Sequence, residues 1–518
     1  MKKIEEIYES TVVGKDAIDF ILFSPFGETR KIGAYRIAMI LREQGYTVKV
    51  IDFLEIVIQD AWSTKFIKKF YKHFVHKNTI FGFSATFMYH FLGVASPWPG
   101  RGEDGSVKKK VGKNFRNFSD LNDNTLSLNE SLFNFVDQLK DFFPDNKIVI
   151  GGKGEMVQHM YEMVNADHLF YGYSEETAAN QLIDIFKNKP TEKEIDSGDA
   201  LDWDFHNCGT TFHPSDFIFP NESLPLEISR GCRFKCKFCG FSLLGRKVSD
   251  KYIRNSKHIW NELISNYENF GTTNYNILCD TFNETTEKLL VIKDLFDRFK
   301  RITGKQIRFN CYLRLELIHR YPEQIQIMKD MGIMACQFGI ETLNYESAKA
   351  IGKGIKTEDV YSTIQAIRDS WGPDVSLWSG FIIGLPHDNR ETVNQWLGDL
   401  YDKKLALTGW KLQALRIYKG AASAYTSEFS RNSEKYGYTF TEMPMKNEKL
   451  SYEWKNEHWT FTECNDIVVA WGNKFLDDGI VKFKDKPWDY LNLKNNFVPD
   501  EKEHSQYFDS LLDEQGAK

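Results

Sequence analysis

Leu226-Glu227-Ile228-Ser229-Arg230-Gly231 is an apolar strand pattern ending in a turn, and it runs straight into Cys232-Arg233-Phe234-Lys235-Cys236-Lys237-Phe238-Cys239. The cysteines are spaced C-x3-C-x2-C. Cysteine is soft and binds metal as thiolate, so three on one short loop can hold three irons of a cubane cluster. No fourth cysteine stands nearby in the sequence, which leaves one iron open for a substrate or cosubstrate. The competing readings are inert buried cysteines and a structural zinc site. Zinc wants a fourth ligand, for which Cys208 and His213 upstream are the candidates. Arg233, Lys235 and Lys237 add positive charge, which is expected to offset an anionic cluster and to lower the thiol pKa.

Downstream of the triplet, strand and helix patterns alternate. A helix is expected over about 256–269, then YNILCD (275–280), a helix from Thr285, IRFNCYLR (307–314) and a helix from Pro322. ACQFGIET (335–342), SLWSGFIIG (376–384), a helix from Asn389 and LTGWKLQAL (407–415) follow. Six strand–helix units over 225–415 predict a partial β/α barrel, open because a closed one has about eight. Upstream, IDFILFS (18–24), TVKVIDF (47–53), TIFGFSA (79–85), KIVIGG (147–152) and HLFYGY (168–173) alternate with amphipathic segments. They predict a flavodoxin-like, doubly wound parallel sheet over 1–187, in an α/β chain overall. Residues 188–224 read as a linker and 416–518 as a small α+β cap, whose Trp454, Trp459 and Trp471 are expected in its core.

The chain has 518 residues, 42% hydrophobic and 27% charged, which suits two or three globular domains. A net charge of −6 gives no global pull toward nucleic-acid phosphates or anionic lipid. MKKIEEIYES lacks the apolar core of a secretory signal. Asn78 to Gly100 carries no charge, yet its polar residues, glycines and prolines fit a short strand running into a loop better than a membrane span. Residues 100–125 look like a polar surface insertion. There are 8 cysteines and none in 1–207, which points to a reducing, cytoplasmic compartment rather than a disulfide framework.

The triplet, with an aromatic residue before its last cysteine and a barrel strand before its first, resembles the radical S-adenosylmethionine (radical SAM) superfamily. Tyr312-Leu313-Arg314-Leu315-Glu316, Phe338-Gly339-Ile340-Glu341-Thr342, Lys353-Gly354 and Gly380-Phe381-Ile382-Ile383-Gly384-Leu385-Pro386 resemble landmarks of the subgroup that joins such barrels to cobalamin-binding domains, the class B methylase-like enzymes. The resemblance spans about residues 15–415. It implies a 4Fe-4S cluster on the catalytic Cys232, Cys236 and Cys239, with the open iron chelated by the amino and carboxylate groups of S-adenosyl-L-methionine. An electron from the cluster would then break the sulfonium C–S bond, giving methionine and a 5′-deoxyadenosyl radical that takes hydrogen from an unreactive carbon. The implied cosubstrate contacts are Phe238, Asp280, Arg314, Glu341, Gly380, Ile382 and Gly384. Glu341 would hold the ribose or amino group, or else form a structural ion pair. Arg314 would hold the methionine carboxylate or pair with Glu316. Gly380, Ile382 and Gly384 would let a strand approach adenine or close the core. Where relatives often carry Gly-Gly-Glu after the second strand, this chain has Cys279-Asp280-Thr281-Phe282-Asn283, with Asp280 as the expected substitute. Cys279, Cys311 and Cys336 read as buried strand residues.

By the same resemblance the first domain binds cobalamin, with Gly27, Ser84, Thr86, Gly152 and Gly172 as contacts at its strand ends. The Asp-x-His-x-x-Gly segment that supplies a histidine to cobalt is absent: SPFGETRKIG follows the first strand. A degenerate domain that binds nothing, or that serves as a substrate platform, is the alternative. The leading expectation is a cobalamin-dependent methylase acting on a small-molecule or otherwise unidentified substrate, fed by a reductase, flavodoxin or ferredoxin. Its sibling rearranges, cyclises or oxidises its substrate without methylation. From another class come an iron–sulfur electron carrier and a zinc-stabilised binding protein. A methylthiotransferase would need a second cluster on three N-terminal cysteines, which the sequence lacks.

Overall fold

The computed structural model describes residues 18–24, 29–52, 75–85, 132–152, 166–196, 204–214, 222–243, 246–249, 251–417, 427–443, 451–481 and 487–494, with single residues between them. The proposed insertion at 100–125 and most of the uncharged stretch at 78–100 lie outside them. Among the described residues no helix is long and apolar enough to cross a membrane.

The first sheet holds β1 (Ile18–Phe23), β2 (Val48–Ile51), β3 (Val75–Ser84), β4 (Ile148–Gly152), β5 (His168–Tyr171) and β6 (Glu194–Asp196). Their spatial order is β2-β1-β3-β4-β5-β6 and every pairing is parallel. The first five strands thus follow flavodoxin-like order. Parallel strands need both faces covered, and β1 shows how the sequence supplies that. Phe20 packs on Phe186 of one helical layer, while Phe23 meets Phe135 of the other. Helices α1 (Ile32–Glu43) and α3 (Glu175–Phe186) form the first layer, and α2 (residues 132–142) belongs to the second. Residues 188–224, read as linker, contribute the edge strand β6.

The second sheet runs β7 (Leu224–Glu227), β8 (Asn274–Leu278), β9 (Arg308–Leu313), β10 (Ile333–Glu341), β11 (Ser376–Ile383) and β12 (Gly409–Ala414), in chain order and all parallel. Helices α4 (Ser256–Phe270), α5 (Thr286–Thr303), α6 (Leu315–Arg320), α7 (Glu323–Met331), α8 (Tyr345–Ala350), α9 (Thr357–Trp371) and α10 (Arg390–Tyr401) connect them. This is the expected partial barrel, with β7 and β12 at its open edges.

The tail adds α11 (Glu428–Arg431), an antiparallel hairpin of β13 (Thr439–Met443) and β14 (Ser451–Lys455), α12 (Phe461–Asp477) and α13 (Pro487–Lys494). Trp454 and Trp459 are buried, as expected, and their indole nitrogens donate to the carbonyls of Leu415 and Asp388. Trp471 is half-buried against Tyr401 and Phe475. Helix α13 closes the barrel end remote from the cysteines, where the Asn310 side chain donates to the Pro487 carbonyl at 2.7 Å.

Buried charges join the first domain to the chain entering the barrel. Arg30 is fully enclosed, with its guanidinium on Glu222, Asp52 and the Tyr35 hydroxyl. Arg42 grips both oxygens of Asp216, at 2.9 and 2.6 Å. Burial pushes the Asp52 carboxyl up to about 7, against the pull of Arg30. Replacing Arg30 with Met strands two buried carboxylates, so Arg30→Met is expected to cost roughly 3–5 kcal/mol. Denaturant unfolding checks this; an unchanged midpoint would show that the arginine only fills space.

Candidate functional site

The loop after β7 folds back on itself. Cys232 N–H donates to the Phe241 carbonyl at 2.9 Å, and Leu243 N–H donates to the Cys232 carbonyl at 2.8 Å. Gly231 permits this closure: its φ is +97°, and a Cβ there would stand 2.7 Å from the Leu243 Cα. Asp280 accepts the Gly231 N–H at 2.8 Å. Each ligand-candidate sulfur then meets one hydrogen-bonding group of the chain. Thr281 Oγ1 lies 3.1 Å from Cys232 Sγ, Arg314 Nη1 donates to Cys236 Sγ at 3.0 Å, and Phe241 N–H donates to Cys239 Sγ at 3.4 Å. The far side is tied down where Lys237 N–H donates to Ile351 and Phe429 N–H donates to Lys237.

Among the described residues no set of three or more His, Cys, Asp or Glu converges on a single metal ion. A cubane does not ask for that, because each thiolate takes a different iron and the sulfurs stand apart. The donor chemistry fits such a cluster: three sulfurs share one pinned loop, and each has a hydrogen-bonding group of the protein beside it. The expected charge effect needs correcting. Burial pushes the Cys239 thiol up to about 12, with Cys236, Asp280 and Cys232 adding to the rise, and it pushes Cys232 up as well. Arg233 and Lys235 are exposed, and water screens them; the cation that lowers Cys232 is Arg314. Cluster assembly must therefore displace protons from buried thiols.

The barrel positions form a chain of alternating charge. Arg314 pairs with Glu316, Lys353 Nζ lies 4.0 Å from Glu316 Oε1, and the same Nζ lies 3.9 Å from Glu341 Oε1. Glu341 has φ +70°, an unfavourable value for a side-chain-bearing residue, which turns its carboxylate back over the inner barrel face. A Cβ on Gly339 would stand 2.7 Å from Glu341 Oε1, and one on Gly380 would stand 3.8 Å from Oε2. Both glycines thus keep space beneath that carboxylate. Burial pushes Glu341 up to about 7, against the pull of Lys353. Phe381 stacks on Trp396 of α10, so Gly380 and Ile382 face inward by strand alternation. Gly384 sits elsewhere: with φ +94°, a Cβ there would meet the Trp454 ring at 2.6 Å and Cys464 Sγ at 2.8 Å. It seats the C-terminal cap. Phe238 is half-buried in the loop, and Cys279, Cys311 and Cys336 are buried. Sequence reading missed Thr281, Asn283 and the inward-facing Tyr312, Gln337, Lys411 and Gln413, which share the Gly339–Gly380 face by register.

Residues 226–400 match the radical SAM superfamily. These residues are a radical SAM domain. Such a domain works with a 4Fe-4S cluster and S-adenosyl-L-methionine, and the cysteine loop above lies inside it. The chain is 28% identical over 167 residues to an uncharacterized methyltransferase of Pyrococcus horikoshii, a match covering 32% of this chain and 34% of that protein. It is 21% identical over 226 residues to the anaerobic magnesium-protoporphyrin IX monomethyl ester cyclase of Cereibacter sphaeroides, covering 43% of this chain and 34% of the relative. The chain therefore spans about a third of the length of these curated relatives. Its architecture is similar to the radical SAM methyltransferase TsrM of Kitasatospora setae, solved with tryptophan and a SAM analog: TM-score 0.55, 13% identity, 82% of this chain and 79% of that one. At that identity the likeness is one of fold.

In the first domain, Ser84 is half-buried at the end of β3, and Gly152 and Gly172 have φ +152° and +127° at the ends of β4 and β5. Gly27 and Thr86 lie outside the described residues. The same sheet edge leads into Ser174, which caps α3, and Glu175, which reaches the radical SAM domain. Arg230 Nη2 donates to Glu175 at 2.9 Å, Arg36 Nη1 lies 3.2 Å from Glu175, and Arg36 Nη2 lies 2.9 Å from Glu227. The C-terminal edge of the first sheet is thus locked beside the start of the cysteine loop.

Cys236→Ala is expected to abolish both cluster assembly and S-adenosylmethionine cleavage; retained cleavage would remove the site from this loop. Glu341 carries a pH signature. Its folded-state pKa is raised, so its stabilising contribution is fully present near pH 4.5 and is lost as pH rises through about 7. Wild type should therefore lose on the order of 2 kcal/mol relative to Glu341→Gln between those pH values. A flat difference in unfolding free energy would contradict a buried, neutral Glu341.

Proposed function

We propose that the chain is a cobalamin-dependent radical SAM methylase acting on an unreactive carbon of a small molecule. The observation that carries this reading is the ion-pair lock of Arg36, Glu175, Arg230 and Glu227, which sets the ligand-binding edge of a flavodoxin-ordered sheet against the strand that leads into Cys232. When bound, the cluster supplies the electron that cleaves S-adenosylmethionine, and cobalamin supplies the methyl group.

The protein's own part is placement and dryness. Cys232, Cys236 and Cys239 would hold three irons, and Phe238 and Asp280 would lie beside the cosubstrate. Glu341, neutral below about pH 7, would offer its carboxyl to the cosubstrate over the shallow floor of Gly339 and Gly380. Tyr312, Gln337, Lys411 and Gln413 would face the substrate from β9, β10 and β12. In the first domain, Ser84, Gly152 and Gly172 would let the corrin approach the sheet closely. The buried side chains of Trp378 and Ile382 would give that inner face a water-poor wall. The sibling chemistry without methyl transfer has support of its own, in that one relative is named as a cyclase.

Anaerobically reconstituted protein given methyl-labelled S-adenosylmethionine and a reductant should yield 5′-deoxyadenosine and, with substrate present, a labelled product. 5′-Deoxyadenosine with an unlabelled, altered product would establish the sibling chemistry, and none at all would reject the enzyme. Ser84→Leu should lower cobalamin retention, read by absorption, while leaving iron content unchanged; full retention would show that the corrin does not approach β3.

A further inference from the structure

The segment Cys279-Asp280-Thr281-Phe282-Asn283 replaces the carboxylate pattern that the superfamily resemblance leads one to expect, and its Asp280, Thr281 and Asn283 each have a partner in the cysteine loop or in Arg314. Asp280 takes the Gly231 N–H, and Thr281 faces Cys232 Sγ. Asn283 clamps Arg314 reciprocally: Arg314 N–H donates to Asn283 Oδ1 at 2.9 Å, and Asn283 Nδ2 donates to the Arg314 carbonyl at 3.0 Å. Asn283 is fully buried and donates also to Gln324 at 3.0 Å, so the clamp is rigid.

The guanidinium held this way has little freedom left. It stacks on Phe234 at 4.0 Å, donates from Nη1 to Cys236 Sγ at 3.0 Å and from Nη2 to the Gly352 carbonyl at 3.3 Å, and pairs with Glu316. With both terminal nitrogens engaged inside the protein, a second, bidentate grip on a cosubstrate carboxylate would require breaking these contacts. Thr281 is fixed as well: its carbonyl accepts from the buried ammonium of Lys288 at 3.1 Å, and its hydroxyl donates to the Asp280 carbonyl at 2.8 Å, so its single hydrogen would turn to Cys232 Sγ, 3.1 Å away, once that sulfur is a thiolate.

We propose that Arg314 and Thr281 are positioning residues that raise the reduction potential of the cluster on Cys232, Cys236 and Cys239 by donating to two of its three thiolate sulfurs. This rests on the radical SAM reading. One-electron reduction adds negative charge to a unit that is already anionic. Donors to the sulfurs favour that added charge, and a cationic donor in a water-poor site favours it most. Arg314 therefore carries the larger effect and Thr281 the smaller.

The test uses the full chain reconstituted with iron and sulfide, compared as wild type, Arg314→Met, Arg314→Lys and Thr281→Val. Iron content, an EPR-monitored redox titration and S-adenosylmethionine affinity are read for each. All four should hold wild-type iron. The midpoint potential should fall most in Arg314→Met and less in Thr281→Val, with Arg314→Lys lying between wild type and Arg314→Met, and cosubstrate affinity should be retained. An unchanged potential in Arg314→Met together with a tenfold loss of affinity would overturn the proposal and make the arginine a carboxylate holder. Should Arg314→Met fail to assemble a cluster, Thr281→Val decides alone, since it removes one hydroxyl at nearly constant shape; an unchanged potential there also overturns it. Failure of the underlying reading looks different: wild type itself would show no cubane signal or would not cleave S-adenosylmethionine.

Discussion

One buried carboxylate holds the architecture together. Glu227 ends the first barrel strand, and burial alone would push its pKa up, yet Arg230 and Arg36 hold it down at about 2. Arg254 donates to its backbone carbonyl at 2.6 Å, and the same guanidinium reaches Glu262, also at 2.6 Å. Arg36 and Glu175 come from the first domain, whereas Arg230, Arg254 and Glu262 belong to the segment around the cysteine loop. Such a network need not add much net stability, because desolvating six charges costs nearly what their pairing returns. Its contribution is register: any rotation of one domain against the other would strand a buried charge.

That frame fixes the site from one side, and the inner face of the barrel fixes it from the other. Cys236, Arg314, Glu316, Lys353 and Glu341 follow one another along the mouth, each within reach of the next. Two carboxyls there remain near neutral pH, Asp280 at about 6 and Glu341 at about 7, because burial outweighs their nearby cations. Buried thiols give up protons when metal enters, and this links assembly to pH.

The local parts of this architecture were legible in the sequence. Five strands of the first sheet and six of the barrel announce themselves as apolar runs at regular spacing, and the cysteine triplet is local by nature. The short polar strand Glu194–Asp196 has no such pattern; it exists only because β5 offers it an edge. Gly384 looked like a place for adenine, since sequence cannot reveal that Trp454 and Cys464, far along the chain, fill the space. The sign of the cysteine shifts was misread for the same reason: Arg233, Lys235 and Lys237 are near in sequence, but burial is a property of the fold. Thr281 and Asn283 carry no motif, and their roles appear only when β8 and β9 stand side by side. Arg30 and Glu222, 192 positions apart, could not have been paired from sequence alone.

The account depends on a metal corner left vacant by the protein and gripped by the cosubstrate. Electron–nuclear double resonance on the reduced, reconstituted protein, mixed with S-adenosylmethionine labelled in its amino nitrogen and carboxylate oxygen, reads that contact directly. Hyperfine coupling from both labels to the cluster is the predicted result. A reduced cubane that shows no coupling to either label would contradict the account, for the corner would then belong to something else.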